Sequence, residues 1–138
     1  PNDSNVLRWW ACCEAHYGNF DCAKKHANMA IRLSPKDRGM HVAFLALAMC
    51  AFIQRENKEF ELWATKAIQA SPNAPIRRAM MIAYAAEMDN KSLLDEHKKL
   101  LSQSAPDFVS SLLRGENIIF EKLEHTEFLL NGLRKAGY

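Results

Sequence analysis

Gly18-Asn19-Phe20-Asp21-Cys22-Ala23-Lys24-Lys25-His26-Ala27-Asn28-Met29-Ala30-Ile31-Arg32-Leu33-Ser34-Pro35 decides how this chain of 138 residues folds. Glycine and asparagine tolerate the left-handed turn that lets one helix end and another begin. After that turn, Ala23, Ala27, Ala30, Ile31 and Leu33 recur at helical spacing and predict an inner face for a helix over about 21–33. Proline, which lacks an N–H and clashes with the preceding turn, stops that helix at Pro35. The stop recurs: Ser71-Pro72 and Ala105-Pro106 follow 37 and 34 residues further on. A period near 34, closed by proline, marks stacked helix pairs.

Working outward, Asp3 or Ser4 can cap a first helix running to about His16. A second pair is expected from Arg38 to Gln54 and Lys58 to Ala70, with Phe60, Ala64, Ala67 and Ile68 inside. A third runs from Ala74 to about Met88 and from Lys91 to Ser104, the latter with Leu93, Leu94, Leu100 and Leu101 as one apolar stripe. Beyond Pro106, a short helix ends near Gly115, and Ile118-Ile119-Phe120 reads as an extended or turn segment. A last helix spans about Lys122 to Ala136, with Leu123, Phe128, Leu129, Leu130 and Leu133 apolar.

Gly18-Asn19-Phe20-x-x-Ala23, then Ala27, Ala30, Leu33 and Pro35, resembles the tetratricopeptide repeat (TPR) family. Trp10-Ala11 stands where the family usually has Leu-Gly, and Lys98 where it prefers an aromatic or alanine. The resemblance implies an all-α, TPR-like α-solenoid of about three helix pairs plus a C-terminal capping helix. As a single domain its units are about 4–35, 36–72 and 73–106, with the capping segment at 107–138. Such solenoids bind proteins more often than they perform chemistry.

The tail carries a second likeness. Pro106-x-Phe108, Phe120 and Glu124-His125-x-Glu127-x-Leu129-Leu130-x-Gly132-Leu133-Arg134-Lys135-Ala136-Gly137 is similar to the C-terminal TPR region of bacterial class III adenylate/guanylate cyclases. This implies a catalytic domain upstream. The start at Pro1, without methionine, fits a segment of a longer protein. A transcription regulator with an upstream DNA-binding domain, or a free-standing adaptor, are the rival parents.

Composition narrows the function further. Net charge is +2, and residues 1–70 carry nine Lys/Arg against seven acids while 71–138 carry nine against nine, so no nucleic-acid stripe exists. The longest apolar stretch, Val42 to Ile53, is too short to span a bilayer. Cys12, Cys13, Cys22 and Cys50 show no CxxC spacing and read as small core hydrophobes of a reducing cytoplasm. Five dispersed glycines exclude a phosphate-binding loop, so no enzyme activity and no cofactor are expected within these residues. His16 with Cys12 has metal-ligand spacing on a helix, but two ligands make no site. Glu124 and Glu127 could raise the pKa of His125 through their charge and make it a pH switch, but the preferred reading of this stretch is a solvated helix start. The pairs Arg77-Arg78 and Lys98-Lys99 read as solvated faces, and the three tryptophans mainly as core, with Trp9 the most exposed.

The family's concave face projects onto Asn5, Arg8, Cys12 and His16, then Val42, Ala46, Met49 and Cys50, then Ile76, Ala79, Ala83 and Glu87. Cys12 and Ala46 stand where a carboxylate clamp needs asparagines. A groove so small and apolar suits an apolar helix, from a protein or peptide partner, from self-association or from the chain's own flanks.

Overall fold

A computed structural model describes residues 3–138, whose regular secondary structure is all helical, with no strand. They form two compact units that divide between Pro72 and Asn73.

The first unit contains α1 (Ser4–Tyr17), α2 (Phe20–Leu33), a 3-10 turn (Arg38–Met40), α3 (His41–Gln54) and α4 (Asn57–Ala70). Asp3 caps α1 by accepting the Asn5 N–H at 2.8 Å. α1 pairs with α2, α3 pairs with α4, and α3 packs on both helices of the first pair. The two hairpins share one geometry. α1 ends at Gly18, φ 89°, and α3 at Arg55, φ 57°. The Asn19 N–H reaches the Glu14 carbonyl at 2.8 Å, and the Glu56 N–H reaches Ala51 at 2.9 Å. Both second helices close on an extended serine, Ser34 with φ −146° and Ser71 with φ −147°.

Alanine makes these hairpins tight. Ala11, Ala15, Ala23, Ala27 and Ala30 are wholly buried, so backbones approach without a bulky side chain between them. Phe60, Ala64, Ala67 and Ile68 are buried as expected, with Phe52 tilted against Phe60 at 5.4 Å. Leu33 corrects the expectation: it is 49% exposed. It lies about 60° round the helix from Ala30, at the last turn before the chain leaves.

The second unit contains α5 (Pro75–Glu87), α6 (Lys91–Ser104), α7 (Phe108–Leu113) and α8 (Leu123–Lys135). Pro75 opens α5 at a position where a missing N–H costs nothing. The hairpin turn returns a third time: Asp89 has φ 52°, and the Asn90 N–H reaches the Ala85 carbonyl at 2.9 Å. α6 and α8 both pack on α5, whose Ala79–Ala86 run is buried. Of the expected α6 stripe, Leu101 is buried and Leu93, Leu94 and Leu100 are half-buried.

Residues 118–120 have no regular structure, yet Phe120 is buried and its carbonyl accepts the Thr126 hydroxyl at 2.8 Å. That bond ties the irregular segment to the first turn of α8. Leu129, Leu130 and Leu133 are buried, whereas Leu123 is 74% exposed, contrary to its reading as part of the apolar face. It occupies the first position of α8 and projects beyond the packed turns.

Candidate functional site

The residues projected as a concave face divide between the two units. In the first, Asn5 is exposed and its Oδ1 accepts from Arg8 Nη2 at 2.7 Å. Arg8 Nη1 stands 3.1 Å from Asp37 Oδ2, and a Cβ on Gly39 would overlap the Arg8 guanidinium. Asp37 also accepts the Gly39 N–H at 2.7 Å. That backbone bond first, then Arg8, holds the Asp37 carboxyl below its ordinary pKa. Arg8 is therefore a strut between α1 and the loop before α3. Cys12 and His16, one and two turns further along α1, are half-buried, and the His16 ring meets Tyr17 edge-on at 5.0 Å.

On α3, Val42, Ala46, Met49 and Cys50 are buried side chains with no surface to offer a partner. Burial pushes the Cys50 thiol up to about 12, which leaves it protonated and unreactive at neutral pH.

In the second unit Ile76 is half-buried and Ala79 and Ala83 are buried. α8 covers this side of α5. A Cβ built on Gly132 would lie 2.6 Å from the Ala83 Cβ, and Lys135 Nζ is 3.7 Å from Glu87 Oε2. Of the projected positions, Ala83 therefore lies under one of the occupants expected for the groove, the chain's own C-terminal helix.

Its far end is fastened by Lys98, whose Nζ donates to the Ala136 carbonyl at 2.8 Å and sits 4.7 Å from the Tyr138 ring centroid. Lys98 is accordingly not a solvated basic residue. Nor are Arg77, which is buried, and Arg78, whose Nη1 donates to His97 Nδ1 at 3.1 Å. Guanidinium has no acceptor, so Nδ1 accepts and the His97 proton sits on Nε2. Burial first, and Arg78 second, lower the His97 pKa. His125 is a further correction. Its pKa is lowered by burial, which outweighs Glu124, 4.0 Å away.

The cysteines and tryptophans also depart from the core reading. Cys50 alone of the four cysteines is buried; Cys12 is half-buried, and Cys13 and Cys22 are exposed. All are free thiols. Trp9 and Trp10 are 55% and 50% exposed, while Trp63 is half-buried against Phe44 at 5.9 Å. Trp10 lays one face on the His26 ring at 4.6 Å, and His26 Nδ1 lies 2.8 Å from Glu14 Oε2. A helical projection of residues 4–17 would have placed both tryptophans away from the Leu7-Ala11-Ala15 stripe. Reading aromatics as core by default concealed this.

Among the described residues no group of three His, Cys, Asp or Glu side chains gathers to hold a metal, and no helix is long and apolar enough to cross a membrane. Comparison of the chain with protein-family models, with curated proteins and with solved structures returned no match in any of the three.

Proposed function

We propose that this chain is a TPR-like α-solenoid module that serves protein interaction and regulation, with α8 as its cap. The observation that carries this reading is the repetition of one hairpin. Gly18, Arg55 and Asp89 hold the same left-handed turn, and Pro35, Pro72 and Pro106 close the pairs. Repeats of this kind build extended binding surfaces from nearest-neighbour contacts. The mode of recognition is helix on helix, as α8 lies on α5 through Gly132 and Ala83.

The parent in this reading is a cytoplasmic signalling protein of the class III cyclase kind, carrying its catalytic domain ahead of these residues. The module binds no cofactor and catalyses nothing itself. It biases the neighbouring domain through a docked protein or peptide, or by self-association.

The decisive experiment measures cyclic-nucleotide output of the parent polypeptide, intact and with residues 3–138 removed. Output that changes severalfold supports the regulatory role. Identical output from the two forms, or a parent without a cyclase domain, overturns it.

A further inference from the structure

The outward side of α1 is uncharged. Its exposed residues are Asn5, Val6, Trp9, Trp10, Cys13 and Tyr17. At about 100° per residue, the five apolar ones fall within a single sector of roughly 100°. The two charged residues of α1 turn away from it: Arg8 pairs with Asp37, and Glu14 pairs with His26. α2 shows the opposite and ordinary pattern, with Asp21, Lys25 and Arg32 outside and alanines inside. A solvent face made of aromatics, with its charges folded inward, marks a surface that another element covers.

What covers it follows from α3. α1 and α3 are both 14 residues long and end in the same turn, 37 residues apart. In that register Val6, Trp9, Trp10 and Cys13 correspond to Ala43, Ala46, Leu47 and Cys50, all of which are buried. The preceding hairpin lies against that helix: Leu47 borders Lys24 and Asn28 of α2, and Cys50 Sγ is 4.0 Å from the Phe20 carbonyl oxygen. The segments ahead of the two helices are also alike, at a spacing of 34 and not the 37 that relates α1 to α3. Pro1-Asn2-Asp3 repeats Pro35-Lys36-Asp37 at a distance of 34 residues. Both aspartates accept a backbone N–H two residues on, from Asn5 and from Gly39.

We propose that the outward face of α1 seats a further helix hairpin, immediately N-terminal to Pro1 in the same polypeptide, packed on Val6, Trp9, Trp10 and Cys13 as α1 and α2 pack on α3. Trp9 and Trp10 stand where α3 has Ala46 and Leu47, so the incoming hairpin offers small, uncharged residues opposite the two indoles. Placing a hairpin there rests on the repeat reading of the fold and not on the docking role proposed above.

The test compares maleimide labelling of Cys13 and Cys22 in the full polypeptide and in residues 1–138. Cys22 is an internal control, because its counterpart Glu59 in α4 is exposed despite a neighbouring hairpin. In the full polypeptide the Cys13 rate, relative to Cys22, falls at least tenfold, and Trp9→Asp restores it. The same substitution in residues 1–138 leaves the far-ultraviolet spectrum unchanged, which separates loss of the seat from misfolding. An equal Cys13 to Cys22 ratio in the two forms overturns the proposal. So does sedimentation of residues 1–138 as a dimer with Cys13 already protected, since a second copy is then the occupant. A reading frame that places no hairpin-length segment ahead of Pro1 refutes it outright. These readouts are blind to cyclase regulation, so either proposal can fail alone.

Discussion

Gly132 of α8 rests directly on Ala83 of α5: a methyl group at 132 would stand 2.6 Å from the Ala83 Cβ and 3.1 Å from its Cα. No Cβ is accommodated at such a distance without backbone movement. Glycine therefore sets how closely the last helix approaches.

Gly132→Ala is expected to lower stability even though alanine favours helix over glycine by about 1 kcal/mol. Gly132→Val should cost more, roughly 1–3 kcal/mol as overpacking. Ala83→Gly should partly rescue Gly132→Ala, because it removes the opposing methyl. Thermal melts of the two single variants and the double variant check this. Additive losses would show that the two positions do not touch.

The cap itself is expected to be indispensable. Leu133 is wholly buried and Leu130 nearly so, so Leu133→Ala and Leu130→Ala should each cost about 2–5 kcal/mol. Removing residues 122–138 uncovers α5, and the shortened chain should melt far lower or aggregate. An unchanged melting temperature with a monomeric product would make α8 a detachable element.

Three hairpins use one left-handed turn but fill it with glycine, arginine and aspartate. Arg55, at φ 57°, carries a strain that glycine does not. Arg55→Gly should stabilise the chain by about 0.5–1 kcal/mol, a rise of roughly 2–4 °C in Tm. Asp89→Gly should gain less, since aspartate tolerates this region better. Gly18→Ala should be destabilising. A fall in Tm for Arg55→Gly would contradict the turn geometry.

Arg8 and Gly39 should couple. Gly39→Ala pushes on the guanidinium and should loosen the Arg8–Asp37 pair, lowering stability measurably. In an Arg8→Ala background the same change has nothing to strike, so its cost should largely vanish. Denaturant midpoints of the double-mutant cycle measure this directly. Simple additivity would remove Arg8 from the loop.

His97 and His125 both have pKa values lowered in the fold. The unfolded chain then binds more protons than the native one as pH falls past the ordinary histidine value near 6.5. Stability from these groups is full above about pH 6.5 and declines as pH drops through the folded values. Urea titrations between pH 7.5 and 5 should show that decline, and His97→Gln should flatten it. A stability that grows on acidification would reverse the sign of the argument.

Much of this fold is legible locally. Apolar residues at helical spacing, Gly18 at its turn, and prolines after Ser34, Ser71 and Ala105 mark helix ends within a residue or two, because periodicity, φ preference and a missing N–H act over one or two turns. Three-dimensional packing decides what those cues leave open. Lys98 and Arg78 look like surface residues in the sequence, yet Lys98 fastens the end of α8 and Arg78 meets a buried histidine. Trp9 and Trp10 look like core and stand outside. Ala83 reads as groove lining and lies under Gly132, 49 residues further along the chain. The sequence determined where helices start, stop and turn; the tertiary structure decided which faces are covered, because burial depends on contacts between residues distant in the chain.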